Sequence, residues 1–311
     1  MSTATSIEWT ETTWNPTTGC DRISPGCDHC YALTLAKRLK AMGQPKYQTD
    51  GDPRTSGLGF GVAMHEDVLL EPLRWRKPRV CFVDSMADIA HAKVPAAFIA
   101  RVFATMAATP QHTYQVLTKR PGRLASLLGD EAFRGEVVHH LLALSCAPDG
   151  RPDQVFLARA SNPWEAWPLP NVWVGTSIEL DRYAWRADLL RQVMARIRFL
   201  SLEPLLGPLP SLDLAGIDWV IVGGESGPGH RPLDLDWVRD LRDRCVELGI
   251  AFFFKQWGGR TPKAGGRTLN GKTYDEMPER FLAPSRGGQP QGHGSADPSR
   301  STRCVPPGAS A

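Results

Sequence analysis

Short runs of apolar and β-branched residues alternate along the chain with longer stretches whose apolar residues recur at helical spacing. The runs typical of buried strands are Arg79–Asp84, Thr113–Thr118, Asn171–Thr176, Ile197–Leu202, Asp218–Gly223 and Ala251–Lys255, preceded by two weaker candidates, Glu11–Asn15 and Phe60–Met64. The helical stretches are Tyr31–Met42, Pro95–Ala108, Arg182–Ala195 and Leu235–Leu248. Strands that alternate with helices predict an α/β fold built on a parallel (β/α) barrel, full or partial, with a doubly wound open sheet as the alternative.

Polar or charged residues close most of the predicted strands. They are Asp84, Lys119, Glu179, Glu203, Glu225 and Lys255. Parallel strands of one sheet all end at the same edge, and barrel active sites lie there. This pattern favours the barrel over the doubly wound sheet, and we expect these side chains to share one rim.

Two segments break the strand–helix rhythm. Gly129–Pro170 is long and mixed in character, which predicts an insertion between the fourth and fifth predicted strands. Near the end of the chain, Gly, Pro, Ser and Arg dominate and large apolar residues almost vanish. We therefore predict one barrel domain over residues 1–283, with the insertion near residues 129–170, and a disordered tail over residues 284–311.

Composition limits the binding partners and the cellular location to be expected for the protein. The 311 residues are 42% hydrophobic, and their net charge of +3 is too small to indicate nucleic-acid binding by itself. No apolar run is long enough to span a membrane, and the polar start of the chain lacks the features of a signal peptide, so we expect a cytoplasmic protein. The odd number of cysteines, seven, favours reduced thiols or metal ligation over a disulfide framework.

Cys20, Cys27 and Cys30 lie on one loop that Gly and Pro residues bend, between a predicted strand and a predicted helix. Three thiolates on such a loop can hold a [4Fe–4S] cluster and leave one iron open for a ligand. A structural zinc site with a fourth ligand, Cys81 or a histidine, is the first alternative, and free cysteines are the second.

Further candidates for ligand binding follow the later strands. Gly223-Gly224-Glu225, after the seventh predicted strand, can expose backbone amides to an anion or form a tight turn. Glu203 suits an amine or a ribose hydroxyl, or it pairs with a neighbour such as Lys255. Lys255 in turn suits a phosphate or a carboxylate.

Seven ordered blocks of sequence resemble the phage-type three-Cys-motif family, a family of unknown function regarded as radical-SAM-like. The blocks are TWNPTTGCDRISPGCDHCYA (Thr13–Ala32), FVDSMADIAH (Phe82–His91), LTKRP (Leu117–Pro121), NVWVGTSIE (Asn171–Glu179), RFLSLEPLLGPL (Arg198–Leu209), DWVIVGGESGPGHRP (Asp218–Pro232) and FFFKQWGG (Phe252–Gly259). The resemblance covers the chain from Ile7 to about Pro278.

The resemblance implies an iron–sulfur enzyme of the radical S-adenosylmethionine type, in which Cys20, Cys27 and Cys30 ligate the cluster. The open iron would bind S-adenosylmethionine, and the candidates for cofactor or substrate contact are Glu203, Gly223, Gly224, Glu225 and Lys255. The phage association points to nucleic acid or a modified nucleotide as substrate. The rival hypothesis is a zinc-stabilised barrel without enzymatic activity that binds a partner such as nucleic acid.

Overall fold

The structure is a computed structural model, and it describes residues 5–145, 160, 165–261 and 263–279. The strands in these residues are β1 (Thr12–Trp14), β2 (Thr17–Thr18), β3 (Ala63–Met64), β4 (Val80–Val83), β5 (Thr113–Thr118), β6 (Val172–Ser177), β7 (Ile197–Leu202), β8 (Trp219–Gly223), β9 (Ala251–Gln256), β10 (Thr268–Leu269) and β11 (Lys272–Thr273). The α-helices are α1 (Tyr31–Ala41), α2 (Glu66–Leu69), α3 (Ala96–Ala108), α4 (Pro121–Leu128), α5 (Glu131–Leu144), α6 (Trp185–Arg191) and α7 (Leu235–Leu248).

Seven strands form one parallel sheet in the order β1-β4-β5-β6-β7-β8-β9. Neighbours in this sheet follow one another along the chain, whereas a doubly wound sheet reverses its strand order. Within the described residues β1 and β9 are not hydrogen-bonded to each other, so the sheet is an open, partial barrel. The predicted parallel (β/α) barrel is therefore confirmed in its partial form.

The two faces of the sheet pack into separate apolar clusters. Helices cover the outer face, where the larger cluster includes Val83, Val174, Leu200, Val220 and Phe254. The inner face carries an aromatic cluster at alternate strand positions, composed of Trp9, Phe82, Trp173, Phe199, Trp219, Ile221 and Phe253. The period-2 alternation of each strand thus fills both faces. The inner cluster lies toward the amino ends of the strands, which leaves the carboxyl edge to polar residues.

Local sequence explains where the best-predicted helix begins and ends. Asp234 caps α7 by accepting a hydrogen bond from the backbone N–H of Asp236, and Gly249 ends the helix with a left-handed φ of 66°. The predicted range Leu235–Leu248 is confirmed to the residue. The predicted stretch Arg182–Ala195 is shorter in the structure, because a 3₁₀ turn at Asp181–Tyr183 precedes α6.

The predicted strand Phe60–Met64 is wrong as a member of the parallel sheet. Only Ala63 and Met64 are extended, and they pair with β2 in a separate antiparallel ribbon. Phe60 packs instead with Ala32, Ala36 and Met86 in a small apolar cluster. Each later strand therefore moves down one place in the count, and Gly223-Gly224-Glu225 follows the sixth strand of the sheet rather than the seventh.

The first part of the predicted insertion contains α5, which packs on α3 through the Phe103–Phe133 ring pair at 6.0 Å between centroids. Cys81, named above as a possible zinc ligand, and Cys245 are both fully buried. Cys146, Cys304 and the predicted tail over residues 284–311 lie outside the described residues. No helix in the described part of the chain is long and apolar enough to cross a membrane.

Candidate cysteine-loop site at the carboxyl edge of the sheet

The cysteine loop, residues 19–30, lies at the carboxyl edge of the parallel sheet. Its first residue, Gly19, donates a backbone hydrogen bond of 2.9 Å to the carbonyl of Met86, in the segment that follows β4. Its last residue, Cys30, is the N-cap of α1. Cys20 and Cys30 pack against the small apolar cluster that contains Phe60 and Met86. The loop therefore lies beside the carboxyl ends of the strands.

The thiols of Cys20, Cys27 and Cys30 are free and partly exposed. Burial, with smaller contributions from Asp88 and Cys27, raises the pKa of Cys20 to about 12. Burial also raises the pKa of Cys30, and Cys27 again adds to the shift. Because the raised pKa values keep Cys20 and Cys30 protonated, binding a metal to these thiols would release protons.

Across the described ranges, no three His, Cys, Asp or Glu side chains stand in an arrangement that could hold a metal ion. The structure thus shows where the cysteine loop lies, but it does not show its thiols arranged around a metal ion. The chemistry of the donors fits an iron–sulfur cluster, since free cysteine thiols can supply the thiolates that such a cluster takes from protein. Cys20, Cys27 and Cys30 stay a predicted ligand set.

Glu179, just after β6, anchors the middle of the cysteine loop through hydrogen bonds. Its Oε1 atom accepts hydrogen bonds from the hydroxyl of Ser24, from the backbone N–H of Gly26 at 3.3 Å and from Lys119 Nζ at 2.8 Å. Its Oε2 atom accepts from Arg186 Nη1 at 2.9 Å. Although burial opposes ionisation of this fully buried carboxyl, Lys119, Ser24 and Arg186 lower its pKa. Glu179 is therefore a buried carboxylate that ties the loop to two strand ends and α6.

Arg120, at the end of β5, reaches the first cysteine. Its Nη1 atom lies 3.5 Å from Cys20 Sγ and 2.7 Å from Asp88 Oδ2, and its Nη2 atom donates to the carbonyl of Asp21 at 3.2 Å. The Asp21 carboxylate in turn accepts from His91 Nε2 at 2.9 Å, because the backbone N–H of Lys93 donates to the other ring nitrogen of His91. The start of the loop is thus held by a chain of hydrogen bonds through Arg120, Asp21 and His91.

Glu225 holds the far end of the loop. Its Oε2 atom lies 3.0 Å from His29 Nδ1 and 2.9 Å from both the backbone nitrogen and Nε of Arg231. Arg231 also donates from Nη2 to the carbonyl of Pro25 at 3.0 Å. Burial opposes ionisation, but the hydrogen bonds from Arg231 and His29 lower the pKa of Glu225 to about 2. The segment after β8 is therefore clamped onto the cysteine loop.

The Glu203–Lys255 ion pair joins the two strands on either side of β8, because Glu203 follows β7 and Lys255 lies in β9. Lys255 Nζ is 2.9 Å from Glu203 Oε1, and both side chains are partly accessible, at 25% and 12% exposure. Ser201 Oγ also donates to Glu203 Oε2 at 3.3 Å. The pairing that the sequence left open is thus present, and the pair remains accessible to a ligand.

The two glycines of Gly223-Gly224-Glu225 are closely packed, and the backbone facing Gly224 makes glycine a requirement there. A Cβ atom on Gly224 would lie 2.0 Å from the carbonyl oxygen of Trp257, and one on Gly223 would lie 2.7 Å from Glu203 Oε1. Neither glycine has a positive φ, so a left-handed turn is not the reason for them. The glycines let the segment after β8 lie against the segment after β9 and against Glu203.

The predicted site residues are thus partly brought together. Lys119, Glu225 and the cysteine loop share contacts, and Glu203 and Lys255 form their own pair beside Gly223. Sequence reasoning missed the roles of Ser24, His29, Arg120, Arg186 and Arg231. For Arg120 a signal existed, since it directly follows Lys119 at a strand end. For the others the contacts depend on partners more than 150 residues away or on a helix whose start was misplaced.

A loop of free cysteines, held by buried charges at the carboxyl edge of a partial parallel barrel, defines an α/β barrel protein with a candidate metal or cluster site. The chain belongs to the family described as protein of unknown function (DUF5131), whose model matches residues 4–278. No curated protein matches the chain.

Among solved structures, the chain is similar to forms of spore photoproduct lyase. A cysteine-to-serine mutant shares 13% identity, with 72% of this chain and 58% of that chain covered and a TM-score of 0.38. The lyase complexed with dinucleoside spore photoproduct shares 11% identity, with 79% and 64% covered and a TM-score of 0.37. A double mutant with bound AdoMet and dinucleoside spore photoproduct shares 12% identity, with 79% and 64% covered and a TM-score of 0.37. This chain spans about three fifths of the length of those chains.

Proposed function

We propose that the protein is an iron–sulfur enzyme of the radical S-adenosylmethionine type, with a radical-SAM-like fold and with Cys20, Cys27 and Cys30 as the ligands of a [4Fe–4S] cluster. The observation that carries the proposal is the position of three free thiols on one loop at the carboxyl edge of a partial parallel barrel. Active sites of parallel barrels lie at this edge. The step from fold to activity is an analogy, and the site chemistry must support it.

The cluster, when bound, would supply an electron and an open iron for the reductive cleavage of S-adenosylmethionine. The residues around it have separate tasks. Glu179 and Glu225 hold the loop, and both carboxylates are already saturated by cationic donors. Glu203 and Lys255 are accessible and oppositely charged, so they suit a ligand that carries both an ammonium and a carboxylate group.

Gly223 and Gly224 enter the proposal through their backbone, which lies between Glu203 and the segment after β9. Glu225, predicted to contact the cofactor, is instead assigned to positioning, because Arg231 and His29 occupy its oxygen atoms. His29 stands directly before Cys30. Glu225 therefore acts on the cluster site by fixing this part of the loop.

The zinc hypothesis requires a fourth ligand. Cys81, the thiol considered for that place, is fully buried in the outer-face core, in a cluster separate from the one that contacts Cys20 and Cys30. This placement removes Cys81 from the possible ligands and leaves a histidine as the fourth ligand that a structural zinc site would need.

The test compares two cysteine variants after identical anaerobic reconstitution. Cys27→Ala leaves two thiolates, too few to hold a cluster, and should lose iron and sulfide. Cys245→Ala is the matched control, because Cys245 is equally a free cysteine but is buried in α7, where alanine costs roughly 1 kcal/mol of packing. Equal iron in the two variants would refute the ligand set. Colourless wild-type protein that contains zinc would support the non-enzymatic barrel instead.

The substrate class proposed from the sequence resemblance is nucleic acid or a modified nucleotide, in a phage or mobile-element setting. Binding of single-stranded and double-stranded oligonucleotides to the reconstituted protein, measured at two salt concentrations, tests it. Absence of binding at low salt would remove nucleic acid from the proposal and leave free nucleotides to be assayed.

A further inference from the structure

The sulfur of Cys20 receives a cationic hydrogen-bond donor. Arg120 Nη1 lies 3.5 Å from Cys20 Sγ, within the range for a hydrogen bond to sulfur. The sulfur of Cys27 is approached by the neutral hydroxyl of Ser24 at 3.7 Å. Within the described residues, Cys20 is the one cysteine of the loop whose sulfur hydrogen-bonds to a cation. The three thiols are therefore electrostatically unequal.

The guanidinium of Arg120 is fixed in place. Its Nη1 atom bridges Cys20 and Asp88, its Nη2 atom donates to the carbonyl of Asp21 at 3.2 Å, and its side chain is 19% exposed. Since the cation has partners on both sides, it cannot turn away from the sulfur without breaking an ion pair and a backbone contact.

Asp88 is itself locked. Its Oδ1 atom accepts from Thr118 Oγ1 at 2.6 Å and from the backbone N–H of Ala90 at 3.0 Å. Its Oδ2 atom accepts from the backbone N–H of Lys119 at 3.2 Å, and the residue is 5% exposed. The Asp88 carboxylate is thus a rigid support that aims Arg120 at Cys20.

We propose that Arg120 is a positioning residue that fixes Cys20 as a cluster ligand and raises the reduction potential of the cluster. This inference rests on the proposed iron–sulfur function. If Cys20, Cys27 and Cys30 held a cluster, reduction by one electron from an external reductant, without proton transfer, would add one negative charge next to these thiolates. A cation held close to one sulfur stabilises that extra charge, and hydrogen bonds to sulfur are known determinants of cluster potentials.

The test is a redox titration of the reconstituted protein, followed by the electron paramagnetic resonance signal of the reduced cluster. Arg120→Met removes the charge and the donors but keeps much of the apolar stem, so its potential should be more negative than that of the wild type. Arg120→Lys keeps a charge but lacks the fork that bridges Cys20 and Asp88, and its potential should fall between the two.

Arg123→Met is the control for loss of a nearby cation. Arg123 donates to the carbonyls of His91 and Val94, and none of its hydrogen bonds within the described residues goes to a cysteine. The reduction potential of the cluster in Arg123→Met should stay close to the wild-type value. A potential of Arg120→Met equal to that of Arg123→Met would overturn the inference while the proposed function stands.

Cluster content separates the remaining outcomes. Loss of iron from Arg120→Met, with full iron in Arg123→Met, would support the positioning role, and Arg120→Lys then supplies the comparison of potentials. If Arg120→Met does not fold, the same comparison between Arg120→Lys and wild type decides, and equal potentials would overturn the inference. Wild-type protein without iron would overturn the proposed function, and this inference with it.

Discussion

Replacing Glu179 with Gln should destabilise the protein far more than an ordinary surface substitution. The carboxylate is fully buried and pairs with Arg186 Nη1 at 2.9 Å and Lys119 Nζ at 2.8 Å. Glutamine keeps the size and one acceptor oxygen but leaves the buried Arg186 guanidinium, whose side chain is 2% exposed, without a counter-charge. Breaking a buried ion pair in this way costs about 3–5 kcal/mol of the free energy of unfolding.

The assay is urea denaturation of the protein without metal, at neutral pH. Glu131→Gln is the control, because Glu131 is 87% exposed and its pair with Arg134 spans 3.3 Å at the start of α5. An exposed pair of this kind contributes about 0–1 kcal/mol. A Glu179→Gln variant that loses less than about 1 kcal/mol relative to Glu131→Gln would refute the ion-pair account.

The dependence of the free energy of unfolding on pH tests the same ion pair in a second way. The fold lowers the pKa of Glu179, although burial alone would raise it, because Lys119, Ser24 and Arg186 stabilise the charged form. A depressed pKa contributes stability above the unfolded value of about 4.3, and that stability is lost as the pH falls through the folded value. The free energies of unfolding of wild type and Glu179→Gln should therefore converge in acid. Parallel curves down to low pH would contradict the assignment.

Three other predictions concern the backbone, pH and the end of the chain. Gly224→Ala should lower the free energy of unfolding, measured by urea denaturation, by roughly 1–3 kcal/mol, because the new Cβ would lie 2.0 Å from the Trp257 carbonyl oxygen. The control is Gly122→Ala, whose Cβ would meet only the flexible Leu189 side chain at 3.2 Å, and it should be neutral or stabilising. Burial raises the pKa of Asp84 to about 7, so its contribution to stability is complete below about pH 4 and is lost as the pH rises through about 7. Asp84→Asn should gain stability relative to wild type between about pH 5 and pH 8, and a constant difference would refute this. Truncation after Ala283 should leave the melting temperature unchanged, because the polar tail cannot bury enough apolar surface to offset its ordering entropy, and a large drop would show that the tail docks.

Much of the fold could be predicted because its signals are local. Buried parallel strands appear as short apolar runs, and α7 carries both a capping residue and a terminating glycine. The error at Phe60–Met64 arose because a short apolar run is compatible with a strand and equally with a loop whose Phe packs on a helix. Only contacts with Ala32 and Ala36 of α1 distinguish the two, and the sequence pattern does not contain them.

The location of the site could be predicted from the sequence, but the hydrogen bonds and ion pairs that organise it could not. Strand ends indicated the rim, because all parallel strands end at one edge. The pairs that organise it connect distant residues, such as His29 with Glu225 and Pro25 with Arg231, separated by 196 and 206 positions. Which carboxylate is saturated and which stays accessible depends on these partners. We therefore assign Glu225 to positioning, whereas Glu203 keeps an ion pair that is partly accessible.

Reductive cleavage of S-adenosylmethionine tests the central claim most directly. Anaerobically reconstituted wild-type protein would be incubated with S-adenosylmethionine and dithionite, and release of 5′-deoxyadenosine and methionine would be measured by chromatography. The account predicts release by wild type and by Cys245→Ala and none by Cys27→Ala. Wild-type protein that contains the cluster and releases neither product would contradict the radical S-adenosylmethionine function.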